Sequence, residues 1–566
     1  MNRDLLFLRE QGEGFPVRDG CRVKPLIDSA EMYPRLEEEM LAAERSVWLA
    51  FRIFDPSTKL RSDAARAKGL EDWAGLIRDT VKRGVEVRML LADFEPVMAN
   101  DLHAGSWSSF NQIQDVRSAL TEAEQEQLQI IVVQHAGEIG WFWRQILRFA
   151  LRKRVRKLIR HLLDKSSHVR HAFEVRPGLW RWLHWEGDRP AGWKSGPPPR
   201  LWPATYHQKS AIIDAKTAFI GGLDLDERRW DDAKHDRPAD ETWHDLSAFV
   251  AGPLAADAAR NFTELWNLEL PRFREIVDQW TSDASRTIAA GPLSEAIAPE
   301  QGESLSEGKA TTQLLRTRSR DATSIFALGP VPDIRELKAA HRNLIRSAQN
   351  LLYIEAQFFR SREAADWVIE SLRRNPGLDV IILIANVPEE IAFLGAGDNP
   401  AHRHGEYLQA TALSRLLKAV GPDRVGLFTL VRDEPADDAE HDYAGSRGTA
   451  FGSGIIYIHA KLLIADTQAC LMSSANINGR SFEWDTELGF LWSQEDAVIA
   501  GFRDRLWSRL SDGALSGTSG LADWRSLAEQ NRLAEPDKRR GFVVPYQRGR
   551  ACRFGGSRLY VPDNMV

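Results

Sequence analysis

A stretch of 23 residues occurs twice in this chain. YHQKSAIIDAKTAFIGGLDLDER at 206–228 aligns without a gap on IHAKLLIADTQACLMSSANINGR at 458–480, an offset of 252 residues. Two looser pairs keep the same order: 38–55 with 342–359, and 83–92 with 376–385. In the first of these a helix with apolar spacing runs into a buried strand; in the second, Gly precedes a β-branched strand. The chain therefore reads as two copies of one α/β unit. We expect two similar α-β-α sandwich half-domains packed about a pseudo-twofold axis, with the active site between them.

The copies differ in spacing. Val47 to His207 is 160 residues and Leu351 to His459 is 108, so the first copy carries about 52 more. The extra length falls at about 140–200. The stretch 282–309 is rich in Ser, Gly, Ala, Pro and Glu and reads as a linker. The expected division is a first half-domain at 1–281, the linker at 282–309, and a second half-domain with a C-terminal extension at 310–566.

The repeated His-x-Lys-x4-Asp pattern carries chemistry. His207 and Lys209 are two apart on a strand, so both side chains leave the same face, as do His459 and Lys461. Two copies bring two imidazoles and two ammonium groups together. The ammonium groups can neutralise a phosphodiester, one imidazole can attack phosphorus, and the other can protonate the leaving oxygen. This division of labour uses no metal and no cofactor. Asp214 and Asp466 close the motifs and are counted with the catalytic set. Their parity is opposite to that of His, which favours a structural role such as pairing with Lys or holding a turn.

Other classes are excluded by composition. Lys+Arg of 74 against Asp+Glu of 80 gives a net charge of −6, so nucleic acid is an unlikely partner. Cys21, Cys470 and Cys552 form no paired or His-linked cluster, which argues against a zinc module and suits a reducing compartment. No run of 18 apolar residues occurs, and the Leu5–Leu8 run is broken by Arg9. The expectation is a cytoplasmic protein, peripherally membrane-associated, without a signal peptide or transmembrane helix.

HQKSAIID and HAKLLIAD resemble the paired HKD motifs of the phospholipase D superfamily. GGLDL (221–225) and SSANINGRS (473–481) are similar to its post-motif segments, and RRWDD, WHD and YIEAQFF resemble the phosphatidylcholine-type enzymes. The resemblance runs from about residue 40 to 510. It implies that His207 is the nucleophile, that His459 is the general acid and then base, and that Lys209, Lys461 and Asn476 bind phosphate. An acid orients each imidazole; Asp245 and Glu487, each entering an apolar strand, are the nominees. The implied substrate is a glycerophospholipid, cleaved to phosphatidate and head group, with water or an alcohol as acceptor. The alternatives are a cardiolipin-synthase-like phosphatidyltransferase, whose usual N-terminal membrane helices are missing here, and third a nuclease.

The chain departs from the pattern at three places: Ser473 stands for Gly, Ala356 for Asn, and Asp224 for the partner of Asn476. A carboxylate at 224 would repel phosphate, so Asp224 is expected to point away or to accept from a backbone N–H. Asp433, Glu434, Asp437, Asp438, Glu440 and Asp442 read as a solvated loop rather than a calcium site. Within the insertion, 141–165 carries nine Lys or Arg and one acid on an amphipathic helical pattern, with Trp180, Trp182, Trp185 and Trp193 following. That composition suits an anionic membrane surface, or a helix whose apolar face covers the first half-domain.

Overall fold

In the computed structural model, residues 6–8, 14–165, 168–187, 189–194, 196–198, 200–284, 288–297, 306–393, 400–437, 447–493, 496–558 and 561–566 are described. The first half contributes β1 (Val17–Ile27), β2 (Ser46–Phe51), β3 (Glu86–Ala92), β4 (Leu128–Val133), β5 (Ser210–Ile213), β6 (Thr217–Gly221) and β7 (Leu246–Ala251). The second contributes β8 (Ala310–Arg320), β9 (Leu351–Ala356), β10 (Asp379–Ile384), β11 (Val425–Leu430), β12 (Lys461–Ala465), β13 (Ala469–Ser473) and β14 (Glu487–Ser493). The strand order in space is β4-β3-β2-β5-β6-β7-β1 followed by β8-β14-β13-β12-β9-β10-β11. The second run mirrors the first about the β1–β8 seam. A short strand, β15 (Val543–Pro545), covers the outer edge of β11.

Within this sheet the pairings β2–β3, β3–β4, β9–β10 and β10–β11 are parallel and the rest antiparallel. The parallel strands are buried on both faces, which is why their sequences read as continuous apolar runs rather than as alternation. The expected pseudo-twofold α/β arrangement is present. What the sequence did not show is that one sheet passes through both halves, with Val17 opposite Gln313 and Cys21 opposite Ala310 at the seam. Beyond the seam the sheet turns, so that β6 and β7 lie against β13 and β14. The C-terminal ends of the motif hairpins are thereby brought face to face.

Helices α1 (Asp28–Ala42), α2 (Trp141–Lys165), α3 (Pro253–Ala284) and α4 (Glu336–Ser347) include the pair, α1 and α4, that follows β1 and β8 in the two copies. Within the linker, 288–297 packs on the first half. Ser294 takes Gln129 as acceptor for its N–H at 2.8 Å, and its carbonyl accepts from Arg88 and Trp266. The insertion helix α2 buries one narrow seam, Leu151, Val155, Ile159 and Leu162, with the last three packed against Phe173, Leu179 and Trp182. Trp180 is also buried, Trp185 is half-buried and Trp193 is exposed. Ile146, Leu147, Phe149 and Leu163, counted in the amphipathic pattern, are exposed. No described helix is long and apolar enough to cross a membrane.

Candidate active site

Each motif His stands just before its strand, and its backbone is tied to the opposite half. His207 N–H donates to Thr486 O at 2.8 Å, and His459 N–H donates to His244 O at 2.8 Å. Tyr206 pairs in parallel with Thr486, and Tyr457–Ile458 pairs in parallel with Trp243–His244. The residue after each acceptor is an acid. The imidazole–carboxylate pairs are consequently crossed: His207 Nδ1 meets Glu487 Oε2 at 2.9 Å, and His459 Nδ1 meets Asp245 Oδ2 at 2.6 Å. Each half supplies one imidazole and the acid that orients the other. Engaging Nδ1 leaves Nε2 of each ring for chemistry.

Strand register makes Asp245 and Glu487 equivalent, since Ser247 pairs with Gly221 and Gly489 with Ser473. Their second contacts differ. Asp245 Oδ1 accepts from Leu246 N–H at 2.8 Å and fills the space over Gly222, where a Cβ would collide with it. The equivalent of Gly222 is Ser474, whose hydroxyl donates to Glu487 at 2.5 Å. Ser473, standing for Gly, accepts Ala475 N–H on its hydroxyl.

Lys209 Nζ donates to His207 O at 2.8 Å, and Lys461 Nζ donates to His459 O. All four motif side chains are buried. Burial, then the Lys209 and Arg52 charges, holds His207 well below the usual imidazole range; burial and Lys461 do the same for His459. Burial brings Lys209 down to about 8 and Lys461 to about 7, against the pull of Asp224 and Asp245. It raises Asp245 to about 6 and lifts Glu487. Without an anionic ligand, this enclosure shifts both imidazoles, both lysines, Asp245 and Glu487 toward their neutral forms.

Asp214 and Asp466 lie elsewhere, and counting them as catalytic needs correction. Asp214 accepts from the N–H groups of Glu44, Arg45 and Ser46 at 2.8–3.0 Å. Asp466 accepts from those of Gln349, Asn350 and Leu351 at 2.8–3.1 Å. Each sits at the far end of its strand in left-handed backbone, at φ 54° and 56°, and ties the hairpin turn to the start of β2 or β9. Strand parity had pointed to this turn-holding role.

The equivalent positions Asn476 and Asp224 solve one problem in two ways. Asn476 Nδ2 donates to Gln357 Oε1 at 3.0 Å, and Gln357 Nε2 donates to Tyr457 Oη at 3.0 Å. Asp224 accepts from Ile53 N–H at 2.9 Å and from Arg229 Nη1 at 2.9 Å, with Lys209 Nζ at 3.8 Å. Burial alone would raise this carboxyl; Lys209, Arg229 and Arg52 hold it below the usual range. A neutral amide pair in the second half is an ionic cluster in the first. The expected backbone N–H contact is present, and Arg229, which sequence reasoning missed, balances the charge. Arg229 also lies over the Trp243 ring at 4.7 Å, and Trp243 packs edge-on against His459.

Among the described residues, Asp28, His235 and His244 place one ligand atom each within 4.8 Å of one another, a set the sequence did not suggest. His235 Nδ1 is held by Asp231 at 2.8 Å and its buried Nε2 has no partner; His244 Nε2 meets Glu355 at 2.8 Å. Carboxylates behind both imidazoles are what a metal-binding pair needs, so these residues could hold a divalent cation. As it stands, His244 meets Asp28 at 3.0 Å on its other nitrogen. Burial would depress His244, but Glu355 and Asp28 together push it up to about 10, so it is an imidazolium. Of the acids read as a solvated loop, Asp433, Glu434 and Asp437 are exposed, and Asp438, Glu440 and Asp442 lie outside the described residues.

No protein-family model matches the chain. Curated relatives do. It is 24% identical to phospholipase D delta of Arabidopsis thaliana over 450 residues, covering 60% of this chain and 51% of that one. It is 25% identical to phospholipase D2 of Bos taurus over 389 residues, covering 51% and 38%. The chain resembles the phospholipase D superfamily, its curated relatives being phospholipases D at 23–25% identity over about half of its length. It spans about half the length of plant superfamily members such as phospholipase D alpha 1 of Oryza sativa subsp. japonica, 23% identical over 54% of this chain. Among solved structures, phosphatidylserine synthase of Haemophilus influenzae Rd KW20 superposes with a TM-score of 0.48 at 13% identity, covering 86% of both chains.

Proposed function

We propose that this protein is a phospholipase D that cleaves the distal phosphodiester of glycerophospholipids through a covalent phosphohistidine. The observation that supports this most is the crossed pairing, which directs two oriented, neutral imidazoles and two ammonium groups into one enclosure. With substrate bound, His459 takes up a proton from solvent at Nε2; His207 Nε2 attacks phosphorus, the bond to the head-group oxygen breaks, and His459 gives that oxygen the proton. His459 then takes a proton from water, the water oxygen attacks phosphorus, the P–N bond breaks, and phosphatidate leaves. An alcohol in place of water gives a phosphatidyl alcohol.

Lys209 and Lys461 balance the phosphate charge. A monoanion between them offsets the positive field that keeps His459 neutral, so substrate binding itself raises the pKa of the acid. Asn476 is the third phosphate ligand. The Tyr457 hydroxyl accepts from Glu389 N–H and can also donate, so the Asn476 and Gln357 amides can turn over together without losing a bond. That turn presents an Asn476 N–H to the phosphate.

The substrate is presented at a bilayer surface, with the protein bound peripherally. The exposed cations of α2 attract anionic lipid, by up to about 1 kcal/mol each where they reach the surface. Replacing Arg152, Lys153, Arg156 and Lys157 with Gln should weaken binding to anionic vesicles and flatten its salt dependence. The deciding experiment for function is a panel of choline, ethanolamine and glycerol phospholipids with plasmid DNA as a control. Phosphatidate release from lipid with intact plasmid is expected; nicked plasmid with no lipid turnover would overturn the reading.

A further inference from the structure

Among the described residues, a group of exposed apolar side chains straddles the two halves. On α2, Trp141, Ile146 and Phe149 are 55%, 56% and 68% exposed. From the loop between β8 and residue 331, Ile325, Phe326 and Leu328 are 53%, 59% and 37% exposed. Scattered exposed side chains of this kind are ordinary, but a contiguous group marks a contact surface.

The two segments that carry them are held together. Gly140 N–H donates to Ala327 O at 2.7 Å, Phe142 N–H to Ile325 O at 3.1 Å, and Trp143 Nε1–H to Phe326 O at 2.8 Å. The Phe142 and Phe326 rings lie 5.0 Å apart. The helix start from the first half and the loop from the second are one pinned unit. Its root lies beside the segment that leads to Glu487: Gly329 packs on the Trp484 ring, three residues before that acid.

The exposed face of α2 then changes character. Ile146 and Phe149 lie opposite the buried seam, and the same face continues as Lys153, Arg156, Lys157 and Arg160, all exposed. An apolar tip followed by a cationic band is the profile of a segment lying at the boundary of acyl chains and head groups. A protein partner would have to match both an apolar tip and a dense positive band; an anionic bilayer matches both.

We propose that the start of α2 and the 324–331 loop form one bilayer-inserting platform, assembled by both halves, with the cations of α2 beside it on anionic head groups. This extends the reading of a lipid substrate, but its readout is binding, so the two can fail separately.

The test uses the full chain in the His207→Ala background, so that lipid is not consumed, with vesicles of equal parts phosphatidylcholine and phosphatidate. Two variants are compared with this parent, Ile146→Ser/Phe149→Ser and Ile325→Ser/Phe326→Ser. Each should bind about tenfold or more weakly, at low salt and at about 0.5 M salt alike, because removing apolar area is not screened. The same substitutions in the wild-type chain should leave turnover of a soluble phosphodiester unchanged. If the loop variant loses thermal stability, Phe149→Ser alone serves, since that ring is 68% exposed. Unchanged vesicle binding at both salt concentrations overturns the platform. So does a dimeric parent that the same substitutions convert to monomer, since the patch would then be covered by a second copy. Binding that depends on these residues in a chain that hydrolyses no lipid would leave the platform standing and remove the function proposed above.

Discussion

Asp224→Asn gives the first half the side chain that the second half carries at the equivalent position. If the repeat were all that mattered, the change would be harmless. The structure says otherwise, because the first half lacks the neutral amide partner and has Arg229 at 2.9 Å and Lys209 at 3.8 Å instead. Removing the carboxylate leaves two buried cations without their counter-charge, at a cost of about 3–5 kcal/mol. An unfolding entropy of roughly 1.2 kcal/mol/K for a chain of this size converts that cost into a midpoint about 3–4 °C lower. Asp224 also holds Lys209 up against burial, so without it Lys209 should titrate below its value of about 8. The alkaline limb of kcat/KM, which reports the free enzyme, should move to lower pH. Arg229→Gln should move that limb the other way, and the double variant should be less destabilised than the sum of the two. Scanning calorimetry and a pH series on a chromogenic phosphodiester measure both. A variant Asp224→Asn with wild-type midpoint and an unmoved alkaline limb would refute the charge-balance account.

The crossed pairs make Glu487→Gln and Asp245→Asn distinguishable. Each loses a charge-assisted bond of about 1.5–3 kcal/mol, or roughly 10–150-fold in turnover. With a p-nitrophenyl leaving group that needs no proton, Asp245→Asn should accumulate the phosphohistidine and Glu487→Gln should not; the reverse pattern would mean the pairs are uncrossed. Lys209 and Lys461 titrate near 8 and 7, against 10.5 for ordinary lysine. Between about pH 7 and 10 the unfolded chain therefore binds more protons than the folded one, so the stability of the ligand-free enzyme should rise with pH there. Thermal midpoints at pH 7 and 9.5 should show this, with the slope reduced in Lys209→Met and Lys461→Met; a wild-type slope in both variants contradicts it. Since the lysines supply the positive charge, turnover of a soluble phosphodiester should survive excess EDTA. Loss restored by a divalent cation, with the rescue abolished by His235→Ala, would place that cation at Asp28, His235 and His244.

The duplicated motif made the fold class and the four motif side chains legible, because strand parity places His and Lys on one face whatever surrounds them. The partners of those side chains were less legible. Parity cannot say which imidazole meets which acid; the crossing follows from parallel bridges between segments far apart in the chain, Tyr206 with Thr486 and Ile458 with His244. Arg229 stands in RRWDD, a resemblance that assigns it no task, since its role exists only once Asp224 is buried. Asp28, His235 and His244 come together from the start of α1, a loop and the short strand Trp243–His244, with no local spacing to mark them. On α2, helical periodicity counted every apolar residue as one face, whereas only the Leu151–Leu162 seam is buried. SIFALGPV, at 324–331, is too short and too apolar to announce an exposed loop.

The central claim is that phosphorus becomes bonded to His207. Rapid mixing of the enzyme with a p-nitrophenyl phosphodiester, an alkaline quench that preserves phosphoramidates, and peptide mass mapping test it directly. The account predicts the phosphoryl group on the peptide carrying His207, more of it in Asp245→Asn, and none in His207→Ala. The group on His459 would exchange the two roles. An Asp245→Asn enzyme that still turns over but carries phosphorus on neither imidazole would contradict the mechanism.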